Sequence, residues 1–390
     1  MTGSRAGWQK REKMEFSVEF LTPAFLGDAE QKAAWRTPPF KALLRQWWRV
    51  VAAKDCNYNH GDLLKAENRL FGSGGEKDGG KSLVRMRLTQ NSAWQPGTVA
   101  DWRYNCGKVK HPEVSRVPQI AADLYLGYGP LDPQRGQTNL RSVVKNDPTS
   151  QRTAIAPKTE QAELTLWFSP GVSDGEVRQI HQALQFIHFF GTLGSRSRNG
   201  WGSLALKTDQ MDFKGWSALF DRAARESLLR SYSLELSTCL SYEHDWPHAL
   251  GRDTKGLLLW KTKSPKPKWE EVIRDLAETK IVFRADRERG LPFSKEPGRM
   301  DDRHLLAYPV TNHEVSVWKN HRLANSLRFK VIEAERGKYR GLIVHLPCAL
   351  PSMLSSDLNG DDEIYRRKDK QLQVWAKVHQ TLDSIMERLP

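Results

Sequence analysis

The chain has 390 residues, 39% of them hydrophobic, and its 60 Lys and Arg against 46 Asp and Glu give a net charge of +14. That length accommodates two domains with separate cores, and the lack of any run of about 18 apolar residues excludes a membrane-spanning helix. An excess of positive charge favours a polyanion partner, most often nucleic acid, and several of the 14 Trp fall among arginines, where aromatics can stack on bases.

Residues 1–13, MTGSRAGWQKREK, lead into no apolar stretch of the signal-peptide kind and read as a flexible leader. The run Met14–Thr22 alternates apolar and polar residues and stops at Pro23, so it is a strand. TPPFKALLRQWWRVVAAKD follows with Thr37 as N-cap and Pro38 at the first helical position. Phe40, Leu44, Trp47 and Val51 share one face of that helix. LLKAENRLFGS favours helix, and SLVRMRL is a second strand with Arg85 and Arg87 on the face opposite Val84, Met86 and Leu88. Between them GEKDGGKS (Gly75–Ser82) satisfies a phosphate-loop pattern, but that loop needs a strand before it and a helix after it. The order here is the reverse, so nucleotide hydrolysis is not expected.

Residues 89–157 exceed an ordinary loop and read as an insertion with one apolar cluster, IAADLYLGYGPL. Gln161–Ser169 is a third strand with Ala162, Leu164, Leu166 and Phe168 on one face. A helix follows, opened by the capping-box pair Ser173 and Glu176, and the short strand GSLALK completes β-α-β-β-α-β. The first domain, 14–208, is therefore ferredoxin-like, with an open sheet face on which RNA can lie. In the second domain, 209–390, SYSLELSTCLSY reads as a strand and WEEVIRDLAETK as a short helix. SLRFKVIE and YRGLIVHLP read as a hairpin, and a long amphipathic helix carries Trp375, Val378, Leu382 and Ile385. The fold class expected is α+β, with two ferredoxin-like (RRM-like) domains of antiparallel sheet and helices on one face.

The strongest local feature is GTLGSRSRNGWGSL, in which glycines 191, 194, 200 and 202 surround Arg196, Arg198 and Asn199. Glycines let a ligand approach main-chain N–H groups, and arginines grip phosphate. A helix end and a sharp turn explain two glycines; four with interleaved arginines favour phosphate contact at Gly194, Arg196, Arg198, Asn199 and Gly200. Lys41, Arg45 and Arg49 form a cationic stripe on the first helix, with Trp48 at its margin as a stacking candidate. The four cysteines contain no C-x-x-C and suit reduced thiols in a cytoplasm. Cys56, His60, Cys106 and His111 have no strong zinc spacing, and neither metal nor cofactor is expected.

TPAFLGDAEQKAAWRTPPFKALLRQWWR, AENRLFGS and FFGTLGSRSRNGWGSL together resemble the RAMP superfamily of CRISPR-associated RNA-binding proteins, in particular the first RAMP subunits of type III-B (Cmr) effector complexes. YLGYG, RHLLAYPV and the hairpin also look familial, so the likeness runs from about Met14 to Leu350. It implies a cytoplasmic, non-catalytic subunit beside other RAMP subunits, holding the 3′ part of a guide RNA and engaging single-stranded target RNA. It also implies that Arg45, Trp48, Arg196 and Arg198 bind. The alternative is an endoribonuclease, with Asp28 or His304 as candidate catalytic residues and His181 with His188 as a further pair.

Overall fold

The computed structural model describes residues 13–390 apart from 30–31, 75–79, 91–101, 103, 114–118, 134–141, 145, 148–149, 152, 159–160, 210–212, 243, 245, 292, 294–297, 311–312 and 336. The leader 1–12 and the centre of the GEKDGGKS stretch lie outside the described residues.

The first unit runs β1 (Lys13–Phe20), α1 (Thr37–Ala52), α2 (His60–Phe71), β2 (Val84–Gln90), α3 (Ala122–Gly127, within the insertion), β3 (Gln161–Phe168), α4 (Asp174–Phe190) and β4 (Leu204–Lys207). Its sheet has the order β4-β1-β3-β2 with every pairing antiparallel, the ferredoxin-like arrangement. Met14, Phe16, Val18 and Phe20 of β1 join Leu164 and Leu166 of β3 in a core covered by α1 and α4. The period of two predicts this, because alternate side chains of a strand point to opposite faces. Helix α4 opens on the expected reciprocal cap, with Ser173 Oγ accepting from Glu176 N and Ser173 N donating to the Glu176 carboxylate. Helix α1 starts one residue earlier than expected: Arg36 is its N-cap, and Thr37 Oγ1 instead accepts from Leu88 N at 3.3 Å. A helix, α2, precedes the glycine-rich stretch and a strand, β2, follows it, the reverse of a phosphate loop.

The second unit repeats the plan with β5 (Leu259–Lys261), α5 (Trp269–Ala285), β6 (Leu327–Glu335), β7 (Lys338–His345), α6 (Lys368–Ile385) and β8 (Glu387–Arg388). The order β6-β7-β5-β8, again antiparallel, is the same topology. The hairpin β6–β7 forms as expected. SYSLELSTCLSY does not form one strand: only Ser233–Glu235 is extended, and Leu236–Cys239 turns helical. WEEVIRDLAETK belongs to a 17-residue helix rather than a short one.

The two sheets use their helix-free faces differently. In the second sheet Leu259, Ile332, Leu342 and Val344 face away from α5 and α6 and join the core of the first unit. The neighbours Trp260, Phe329, Val331 and Ile343 pack under α5 and α6 with Ile273, Leu276, Trp375 and Val378. The joint is fastened by Lys330. Its ammonium, buried on β6, donates to Ile187 O at 3.1 Å, His188 O at 2.7 Å and Leu204 O at 2.7 Å. The first two carbonyls belong to the last turn of α4, where intrahelical donors run out and a cation meets the negative end of the helix dipole. Behind this joint His345 and His379 share a 2.9 Å hydrogen bond, and Ser326 Oγ bonds the other nitrogen of His345 at 2.9 Å.

These buried groups make stability sensitive to mutation and to pH. Lys330→Met removes three donors from buried carbonyls, and should lower the unfolding free energy by about 1–3 kcal/mol in urea titrations. Burial holds His379 at about 3, below its usual 6.5, and pushes His345 well down in the same direction. Below pH 6.5 the unfolded chain therefore binds protons that the folded one refuses. Stability should fall as pH drops from 6.5 towards 3, by about 1.4 kcal/mol per pH unit for each histidine. Urea midpoints at pH 7, 6 and 5 should show this slope, and His379→Asn should flatten it.

Candidate nucleic-acid interface

The glycine loop leaves α4 at Gly191 and enters β4 at Leu204. Gly194 has φ of +101°, and a Cβ there would stand 2.8 Å from Phe25 O. At Gly202 a Cβ would stand 1.9 Å from Leu193 O. These glycines are required by the chain's own close packing, so their number is not evidence for a ligand. The main-chain N–H groups of Ser195, Ser197, Asn199, Gly200 and Gly202 already donate to backbone carbonyls. Gly200 O in turn accepts from the hydroxyls of Thr22 and Ser203. Five of the loop's N–H groups, that of Gly200 among them, are therefore already taken by the chain's own backbone.

Its side chains are a different matter. The loop docks on the edge of β6, where Phe329 N donates to Arg198 O at 3.1 Å, and this splits its arginines to opposite sides. Arg196, in a left-handed backbone conformation, reaches towards the insertion and donates from Nε to Tyr128 O at 2.6 Å. Arg198 reaches the second unit and donates from Nη1 to Asn325 O at 2.9 Å. Asn199 ties both sides together, giving Nδ2 to Leu126 O and taking Lys280 Nζ on Oδ1 at 2.9 Å.

Two further cations close on this loop, Lys280 on α5 and Arg328 on β6, and Arg284, one turn beyond Lys280, lies by Tyr125, Arg303 and the carboxylate of Glu113. Burial lowers Lys280 well below its usual pKa, with Arg284 and Arg196 adding like-charge repulsion. Arg328 is 9% exposed, and its Nε has no hydrogen-bond partner among the described residues. Burial first, and Arg198 second, bring it down to about 9. Among the described residues none of Arg196, Arg198, Lys280, Arg284 and Arg328 has a carboxylate within salt-bridge distance. The nearby acid Glu113 is taken in a two-pronged bond by Arg303. Beside Arg198 a cavity of about 190 Å³ opens between the units, lined among others by Gln46, Trp246, Arg322, Ser326 and Trp375. Lys280 and Arg328 are buried, Arg198 and Arg284 half-buried and Arg196 exposed; buried cations without a counter-charge in contact are costly on their own and fit a site that takes an anion.

Residues 17–205 match the model of the RAMP superfamily. That span runs from β1 through the glycine loop into β4. The chain is also similar to the crystal structure of apo Cmr1 from Pyrococcus furiosus, at 18% identity and a TM-score of 0.46, over 90% of this chain and 92% of that one. A second similar chain belongs to the type III-B Cmr-beta complex bound to cognate target RNA and AMPPnP, at 12% identity and a TM-score of 0.47, over 96% and 99%. No curated protein sequence matches the chain.

Within the RAMP-matching span, the stripe on α1 is not a free basic face. Arg45 and Arg49 both bind the fully buried carboxylate of Glu67 on α2, at 2.5 Å each, and Arg49 also lies over the Trp246 ring. Lys41 is half-buried, and burial lowers its pKa, with Arg45 adding to the effect. Trp48 is 1% exposed, donates to Gln179 Oε1 at 3.2 Å and meets Phe71 edge-on. A ring enclosed in this way cannot stack on a base, so its position at the stripe's margin is explained by α2 covering it. Arg85 and Arg87 do project from the open face of β2, both exposed.

The nuclease candidates are differently placed. His304 is 1% exposed and takes Asp301 N on Nδ1 while its Nε2 meets His313 O, so it caps a helical turn and cannot reach a substrate. His188 is buried against Trp216 and takes Leu206 N on Nδ1, and His181 is also buried. Asp28 is half-buried in a turn, its Oδ1 accepting from Lys32 N. Cys56, His60, Cys106 and His111 form no common ligand group, since none of three or more exists among the described residues. Sequence reasoning missed Lys280, Arg284 and Arg328. A signal was present for the last, because Arg328 and Lys330 alternate along β6 as Arg85 and Arg87 do along β2.

Trp48→Ala should cost about 3–5 kcal/mol of unfolding free energy, as a large core aromatic does. A surface stacking residue would cost under about 0.5 kcal/mol, and urea midpoints separate the two.

Proposed function

We propose that the chain is a non-catalytic RNA-binding subunit of a type III-B CRISPR ribonucleoprotein, acting in the cytoplasm beside other RAMP subunits. It contacts the 3′ part of the guide RNA, the target RNA, or both, through the cleft on either side of the glycine loop. The observation that carries this reading is the set of four cations around that loop with no carboxylate within salt-bridge distance among the described residues. Arg196 and Lys280 on one side, and Arg198 and Arg328 on the other, would each be relieved by a phosphate. The match of residues 17–205 to the RAMP superfamily supports the class of partner, and the order of sequence motifs supports the type of complex.

The double variant Arg196→Ala with Arg198→Ala should weaken binding of single-stranded RNA by about tenfold or more in a chain that stays folded, with a loss of about 1–3 kcal/mol of unfolding free energy because Tyr128 O and Asn325 O lose their donors. Its log–log salt slope should fall by about one for each phosphate that is no longer held. Fluorescence anisotropy at several salt concentrations reads both quantities, and normal binding by the double variant would overturn the assignment. Denaturing gels run with magnesium and with EDTA should show intact RNA. Cleavage abolished by Asp28→Asn would replace this reading with the nuclease one.

A further inference from the structure

The helix-free face of the first sheet is open, whereas that of the second is buried against the first unit. On this open face lies Trp167 of β3, at 38% exposure the only tryptophan among the exposed large hydrophobic side chains of the described residues. A single exposed apolar side chain is ordinary, but this one has a specific setting. The strand register puts Lys13 of β1 directly opposite it on one side and Arg85 of β2 on the other. One row further along, Arg87 faces Thr165. Among the described residues Lys13 bonds only the equally exposed Glu15. Arg85 and Arg87 have no hydrogen bond or ion pair among the described residues, and neither Arg85 nor Lys13 lies over the indole. The ring and its flanking arginines are thus unspent. Arg85 and Arg87 are two residues apart on one face, roughly 6.7 Å along the strand, and β2 is the sheet's edge. Apart from Glu15, the acids of this face, Glu19 and Glu163, gather towards the other end of the strands, so the positive corner is local.

We propose that this corner is a second, separate contact for single-stranded RNA, in which a base stacks on Trp167 while Arg85, Arg87 and Lys13 hold the flanking phosphates. The proposal rests on the reading of the chain as RNA-binding and adds a surface distinct from the cleft. An aromatic between cations suits nucleic acid better than a protein partner, because it offers stacking without sequence demand and charge without an apolar surround.

The test uses the full chain and a fluorescein-labelled single-stranded RNA of about 30 nucleotides, longer than one stacking site needs, in anisotropy titrations. Trp167→Ala should weaken binding about fivefold or more without changing the salt slope, and Trp167→Phe should restore most of it. Arg85→Gln with Arg87→Gln should weaken binding and lower the salt slope by about two. All three substituted residues are exposed, so unfolding midpoints should stay at the wild-type value. RNA carrying 4-thiouridine should cross-link to the peptide containing Trp167. If the sheet variants bind RNA as wild type does while the Arg196/Arg198 variant fails, the second contact is wrong and the cleft reading stands. If the wild type binds no RNA, both fall. If the sheet variants keep RNA but lose association with a second copy of the chain in sedimentation, the corner is a protein-docking surface and the proposal is overturned.

Discussion

The arrangement of the two units depends on one buried ammonium. Lys330 stands on an edge strand of the second sheet and fills the end of a helix in the first unit, giving each of its three donors a carbonyl. A lysine loses much on leaving water, and burial pushes its pKa well down. What offsets that loss is a helix C-terminus whose last carbonyls still have lone pairs to fill. Because β-strand side chains alternate, fixing Lys330 also fixes Arg328, two residues earlier on the same face. It brings Phe329 N within reach of the glycine loop as well. The edge of β6 is then covered by Arg198 O and by Ser203 Oγ, which accepts from Val331 N, so this stretch of strand edge is closed. The cation site follows from the joint.

The charges around that joint divide into two kinds, and the division separates structure from function. Arg45 and Arg49 share Glu67, and Arg303 answers Glu113; each set holds a carboxylate in direct contact and ties two segments together. The four cations at the loop, Arg196, Arg198, Lys280 and Arg328, are held only by carbonyls, an amide, or nothing among the described residues of the folded chain. Two of them, Lys280 and Arg328, are buried, and burial with like charges nearby costs each of them hydration and adds repulsion.

Much of the fold is legible in the sequence, for identifiable reasons. The first unit announces itself because β1 and β3 alternate over eight residues each and α4 carries a reciprocal cap that local chemistry alone determines. The hairpin β6–β7 is similarly long. The strands β5 and β8 are not legible, because three and two residues are too few to establish a period. They are strands because the neighbours Ile343 and Trp260 pair with them, which is a tertiary fact. The candidate site is legible in part. Arg196 and Arg198 are legible as a pair, but of the glycines beside them 191, 194 and 202 answer to backbone crowding and Gly200 to a positive φ. Trp48 looks marginal on a helical wheel, and α2, whose position no wheel contains, covers it. Arg328 is hidden for the opposite reason, since a cation in a strand reads as solvent-facing until the second unit's burial is known.

The repeated topology makes a final comparison possible. β2 and β6 occupy the same place in their respective units, each the second strand of its motif and each at a sheet edge. Both carry cations two residues apart on the helix-free face: Arg85 and Arg87 in one, Arg328 and Lys330 in the other. One pair faces solvent beside Trp167 and the other is turned inward against the first unit. The same strand pattern thus serves two ends according to what covers it. Where a helix terminus and a loop close over the face, one cation becomes a fastener and its neighbour joins the buried site. Where none of the described residues closes over it, the pair stays exposed. Position in the fold, not the residue pattern, decides which role a basic strand takes.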